Sequence, residues 1–200
     1  QDQEGNSALA YATDRPEIVR LLLSRGARVN LKNKSGSTPL IQAANRGHLD
    51  AVKLLVNEGA DVNSRNGQGN TILMEAVVAN GAISKDQIDL VEVLIEKGAD
   101  LNLKTKDGWT ALMTAASQGK IKIVQTLIQH GADVNAKTDS GWTALHSAIN
   151  FDQVEVVRIL VGAGARLNAK IDGGGETAMM LAKSKQNQAI IELLRKAGGE

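Results

Sequence analysis

A glycine returns along this chain at nearly constant intervals: Gly26, Gly59, Gly98, Gly131, Gly164 and Gly198, with spacings of 33, 39, 33, 33 and 34 residues. Alanine follows the first five, and Asn30, Asn63, Asn102, Asn135 and Asn168 each lie four residues after their glycine. A period of this length means one supersecondary repeat stacked on copies of itself, not a single globular core. Such a chain offers a long surface and rarely an enclosed reaction chamber, so binding is the first function to seek.

The repeat at 36–68 shows the physical plan. Thr38 is an N-cap, and Pro39 occupies the first helical position, where its missing N–H costs nothing. A short helix follows with Leu40, Ala43 and Ala44 on its packing face, and Gly47 and His48 interrupt it. A second helix carries Leu49, Val52, Leu54, Leu55 and Val56 at helical spacing. Gly59 supplies the left-handed residue that ends it. Residues 61–69, rich in Asn and Gly, read as a turn into the next repeat.

The other repeats fit the same template. Thr71, Thr110, Thr143 and Thr177 repeat the cap, and Leu73, Leu112, Leu145 and Met179 the first core position. Leu22, Leu94, Leu127, Leu160 and Leu194 match Leu55, and Val19, Val91, Val124, Val157 and Ile191 match Val52. Small alanines on the first helix (Ala12, Ala43, Ala76, Ala115, Ala148, Ala182) permit close helix–helix approach.

Thr38-Pro39-Leu40, Gly47-His48-Leu49 and Gly59-Ala60-Asp61-Val62-Asn63 resemble the ankyrin repeat. The resemblance covers the whole chain as about six repeats, approximately 1–35, 36–68, 69–107, 108–140, 141–174 and 175–200, in a single domain. It implies an all-α solenoid of helix–turn–helix repeats joined by hairpin-like turns. The departures are few: proline occurs once in the cap motif, and the family's histidine there survives only as His146. Divergent capping repeats are expected at both ends. Gln188 and Arg195 put polar side chains where other repeats carry Leu49 and Val56, and the first repeat is two residues shorter between Ala12 and Val19.

Several function classes lose their basis. A net charge of +1 gives no sequence-blind affinity for nucleic acid or anionic lipid. No apolar run reaches the roughly 18 residues that would suggest a membrane span, and no signal-peptide pattern is visible. The absence of cysteine rules out disulfides, thiolate metal sites and thiol nucleophiles. It also suits an oxidising compartment, and with a chain starting at Gln1 the expectation is an exported or periplasmic bacterial protein in preference to a cytoplasmic one. His48, His130 and His146 lie in different repeats without metal-ligand spacing, so local hydrogen bonding is their expected role. Gly173-Gly174-Gly175 lacks the Lys-Ser/Thr of a phosphate loop. No catalytic residues, metal or cofactor are expected.

Function should therefore show where repeats differ. The chain has only four aromatic residues, Tyr11, Trp109, Trp142 and Phe151, and none occupies a core position. Trp109 and Trp142 fill the slot before the capping Thr, and Phe151 fills the slot of Arg46, Ala79 and Gln118 at the end of the first helix. The family resemblance implies that these slots line the concave partner-binding surface. Tryptophan is enriched in binding hot spots. Trp109, Trp142 and Phe151 are thus candidate anchors, with Lys106, Asp107, Gln118, Asp139 and Asn150 around them. Tyr11 is assigned to capping.

Two further irregularities stand out. Six extra residues fall at 82–87, where Ser84 and Gln87 spell a capping box that would start the second helix about a turn early. This is either a contact element or a tolerated surface insertion. Lys32, Arg65, Lys104, Lys137 and Lys170 repeat one basic slot, which is assigned to the scaffold. The resulting expectation is a non-enzymatic module, monomeric when free, that binds one folded protein partner. The partner is expected to be an enzyme or toxin that the module masks or inhibits, as an immunity protein does. The alternative is a structural or chaperone-like scaffold that self-associates or holds several clients.

Overall fold

The computed structural model describes residues 1–79 and 85–199. Twelve α-helices are found among them: α1 Ala8–Tyr11, α2 Pro16–Ser24, α3 Pro39–Asn45, α4 Leu49–Asn57, α5 Ile72–Val78, α6 Lys85–Glu96, α7 Ala111–Ser117, α8 Ile121–Gln129, α9 Ala144–Asn150, α10 Val154–Gly162, α11 Ala178–Ser184 and α12 Gln188–Lys196. Among the described residues extended pairing is limited to one antiparallel bridge, Arg65 with Thr71. The fold is an all-α repeat solenoid whose contacts divide into two compact halves, Gln1–Asp100 and Leu101–Glu200.

Each half has two layers. In the first, α1, α3 and α5 pack side by side while α2, α4 and α6 form the second row. In the second, α7, α9 and α11 form one row and α8, α10 and α12 the other. Leu40, Leu55, Leu73 and Leu94 fill the space between rows in the first half, and Leu112, Leu127, Leu145 and Leu160 do so in the second, all nearly fully buried. Each such leucine contributes roughly 1.5–3 kcal/mol by leaving water. Leu22 belongs to the same set but is only half-buried, because α2 has α4 on one side alone within its row.

The helix ends follow from local chemistry. Thr38, Thr71, Thr110, Thr143 and Thr177 accept at Oγ1 from the third backbone N–H of α3, α5, α7, α9 and α11. At the other end the Gly-Ala pairs close Schellman turns. Gly131 has φ +90°, and the Ala132 N–H reaches back to Leu127 O at 2.9 Å. The alanine then tucks inward and is buried, which accounts for its recurrence beside glycine.

Successive repeats are tied by the asparagines four residues after Gly26, Gly59, Gly98 and Gly131. Asn30 donates through Nδ2 to Gly59 O at 3.2 Å and accepts at Oδ1 from Asp61 N–H at 3.0 Å. Asn63 does the same to Gly98 O and Asp100 N–H at 3.1 and 2.8 Å. The basic ladder serves the same end: Lys32 Nζ donates to Arg65 O at 3.5 Å, and Lys104 Nζ to Lys137 O at 2.7 Å.

The surplus residues before Gly98 lengthen α6. It has 12 residues where α4, α8 and α10 have nine, and it begins at Lys85, three residues before Ile88, the counterpart of Leu49. The Ser84 half of the expected capping box, and residues 82–84 of the insertion, lie outside the described residues. Gln87 is buried and works on the preceding helix: its Nε2 donates to Ala76 O, Val77 O and Ala79 O at 2.9, 3.0 and 3.3 Å. It thus satisfies carbonyls left open at the end of α5.

Candidate interaction surfaces

In the second half, the turns before α7 and α9 are five-residue hairpins. The Thr105 N–H donates to Trp109 O at 2.8 Å, and the Trp109 N–H returns to Thr105 Oγ1 at 3.1 Å. Thr138 and Trp142 repeat the pair at 2.8 and 3.0 Å. Glycine is required at the fourth position. Gly108 has φ +81°, and a Cβ there would stand 2.7 Å from Asp139 N in the next hairpin. The two hairpins therefore stack at backbone contact, bringing Trp109, Lys106 and Asp107 of one beside Trp142 and Asp139 of the other.

Lys106, Asp107 and Asp139 are exposed at the hairpin tips, and both tryptophans are half-buried. Trp142 spends part of its surface on the scaffold: its ring meets His146 edge-on, with centroids 6.0 Å apart and planes at 66°. His146 completes a capping box with Thr143, its Nδ1 accepting the Thr143 N–H at 3.2 Å. That bond places the ring proton on Nε2, which is fully buried. Burial holds this imidazole down at about 4, against an opposing influence of the Ala169 backbone.

The remaining candidates sit at the far ends of the same helices. Gln118 is the exposed C-cap of α7, Asn150 closes α9, and Phe151 is its C-cap, 53% exposed. The eight candidate residues thus form two groups on the α7–α9 pair. A seven-residue helix, about 10 Å long, separates them.

Tyr11, 56% exposed, ties down the start of the chain. Its hydroxyl donates to Asp2 Oδ2 at 2.5 Å, folding the first residues onto α1, and this bond holds the Asp2 carboxyl at about 2. His130 Nδ1 lies 2.9 Å from Thr126 O within its own helix end, whereas His48 departs from the local role expected of it: its Nδ1 lies 3.1 Å from Thr13 Oγ1, 35 residues back in the preceding repeat.

The first half holds a surface that sequence reasoning missed. Its hairpins use Asn33 and Asn66 where the second half uses Thr105 and Thr138. Like threonine, each asparagine caps its own turn, with Oδ1 accepting from Ser37 N–H or Asn70 N–H. Unlike threonine, it retains an amide group to donate elsewhere. Asn66 Nδ2 donates to Glu75 Oε1 at 3.0 Å, joined there by Asn70 Nδ2 at 3.0 Å, while Asn45 Nδ2 donates to Oε2 at 2.6 Å. Glu75 is only 9% exposed. It lines an open groove of about 510 Å³ that also includes Gln42, Asn45 and Asn66. The available signal was a carboxylate on the first helix where other repeats carry Gln42, Thr114, Ser147 and Leu181.

Among the described residues no group of three or more His, Asp or Glu side chains could hold a metal ion. No described helix is long and apolar enough to cross a membrane.

The comparisons with known proteins agree with this geometry. The family description "Ankyrin repeats (3 copies)" matches residues 8–105 and again 78–171. A 55-residue stretch is 44% identical to ankyrin repeat domain-containing protein 63 of Homo sapiens and of Mus musculus, covering 24% of this chain and 14% of each relative. The matched stretch is therefore a small part of those curated relatives. A crystal structure of an ankyrin repeat domain from Acinetobacter baumannii AYE matches with a TM-score of 0.85 and 28% identity, over 96% of this chain and 98% of that one. With the threonine caps, the Gly-Ala turns and the asparagine ties in place, the chain belongs to the ankyrin repeat family, whose members are generally protein–protein interaction modules.

Proposed function

We propose that this chain is a non-catalytic module that binds one folded protein partner through the α7–α9 face and thereby masks or inhibits it. The observation that carries this reading is the pair of half-buried tryptophans on hairpins stacked at backbone contact. Large aromatic surface held on rigid, adjacent turns loses little entropy on binding and matches the chemistry of hot spots. Phe151 extends the apolar contact along the same helix pair, and Lys106, Asp107, Asp139, Gln118 and Asn150 supply a polar rim. The chain is a monomer when free. With no second face required for output, occupation of the partner's surface is itself the effect.

Affinity capture with wild type and with the double substitution Trp109→Ala/Trp142→Ala tests the anchor assignment. Wild type should retain a single dominant protein that the double variant loses. Equal recovery by both would remove the tryptophans from the interface. If the captured protein is an enzyme, its activity should fall as the wild-type module is added in molar proportion. Unchanged activity at saturation would leave binding but refute masking.

A further inference from the structure

We infer that the amide-lined groove of the first half is a receptor for an arginine side chain presented by a protein partner, with Glu75 as its counter-ion. This site is separate from the α7–α9 face.

Glu75 is a carboxylate with only 9% of its surface exposed, and among the described residues no cation lies within ion-pair distance of it. Its partners are three neutral amide donors, from Asn45, Asn66 and Asn70. A carboxylate has about four acceptor directions. Oε1 uses two and Oε2 one, so one direction on Oε2 is open beside the groove. Buried charges are ordinarily paired, and amide dipoles offset the desolvation cost of this one without cancelling its charge.

The acceptor inventory then selects the occupant. A carboxylate only accepts, so the three asparagines must turn their nitrogens toward it, which turns the amide oxygens of Asn45 and Asn70 away. Among the described residues those two oxygens take no hydrogen bond. Gln42 behaves likewise, since its Nε2 donates to Asn6 Oδ1 at 3.0 Å and its oxygen stays unused. Asn70 does not line the groove, so the wall offers one charged acceptor, Glu75, and two neutral ones, the amide oxygens of Asn45 and Gln42. A guanidinium matches this set: it carries five N–H donors in a planar fork and no acceptor, where an ammonium has three donors on one point. The groove, at about 510 Å³, has room for the whole side chain. Arg46 also lines it, but Nη1 of Arg46 is held at the α1 side by Ala10 O and Thr13 Oγ1, both at 3.2 Å.

The test uses the full chain and two blocked tripeptides, acetyl-Gly-Arg-Gly-amide and the same peptide with citrulline, which keeps the shape of arginine and removes its charge. Side-chain amide signals of Asn45, Asn66 and Asn70 are followed by 15N–1H NMR. The arginine peptide should shift them saturably, and the citrulline peptide should bind about tenfold more weakly, as loss of a charge-assisted hydrogen bond implies. Glu75→Gln should abolish the difference between the two peptides. Equal shifts with both peptides on the wild-type chain overturn the proposal, whether or not the variant folds. So does a wild-type chain whose three amide signals do not move.

Discussion

Asn135 holds Gly164 of the following repeat at two points: Nδ2 donates to the Gly164 carbonyl at 3.2 Å, and Oδ1 accepts from the N–H of Arg166, two residues on, at 2.8 Å. One planar amide therefore fixes both position and orientation of the turn that ends α10. Asn135→Ala should destabilise the protein by roughly 1–2 kcal/mol, the worth of two partly exposed hydrogen bonds. Asn135→Asp, which keeps only the acceptor, should lose less. The midpoint of urea unfolding measures both, and an alanine variant as stable as wild type would mean that water replaces the clamp without cost.

Backbone conformation gives a prediction of opposite sign. Gln186 has φ +56° at the inter-helix turn where Gly47 and Gly119 stand with φ +73° and +66°. A side chain in this region costs about 1–2 kcal/mol, and glycine's extra freedom in the unfolded chain returns about 0.5–1 kcal/mol of that. Gln186→Gly should therefore stabilise by about 0.5–1 kcal/mol in the same assay. A loss of stability would show that the glutamine side chain makes contacts that outweigh its strain.

His146 should impose a pH dependence. Its folded-state value of about 4 lies below the ordinary 6.5 because burial disfavours the imidazolium. Above pH 6.5 the residue is neutral in both states and exacts nothing. As pH falls from 6.5 towards 4 the unfolded chain takes up a proton that the folded chain refuses, so stability declines, by up to about 3 kcal/mol, and levels off below. Met74, Met113 and Met180 occupy the same slot in other repeats, so His146→Met is the natural comparison. The stability gap between the two proteins should shift in favour of the methionine variant as pH drops through this window. A constant gap would place the ring in a more hydrated setting.

The threonine caps, Gly-Ala turns and leucine rows were legible in the sequence because each is local chemistry repeated at a fixed period. The asparagines four residues after each glycine were visible as a pattern, but the hydrogen bonds of Asn30, Asn63, Asn102 and Asn135 reach 29 to 37 residues ahead, and only stacking reveals them. Glu75 escaped notice for a related reason. Its partners lie 30, 9 and 5 residues away, and two of them look like ordinary turn asparagines. The slots of Trp109, Trp142 and Phe151 were also legible. What the one-dimensional reading lacked was the length of α7 and α9, which sets Phe151 apart from the tryptophans, and the contact that gives Trp142 a second role.

That second role allows stability and binding to be separated. Trp142 packs against the buried His146, so Trp142→Ala should cost about 1–2 kcal/mol, an aromatic contact plus the shielding of a capping box. Phe151 is 53% exposed, so Phe151→Ala should change stability by no more than about 0.5 kcal/mol. If the α7–α9 face is the interface, both variants should capture less partner, and the phenylalanine variant should do so while melting like wild type. That combination, lost binding at unchanged stability, is what a purely structural aromatic does not produce. Thermal unfolding and quantitative capture of the two variants decide it, and full capture by Phe151→Ala would confine the interface to the hairpin tips.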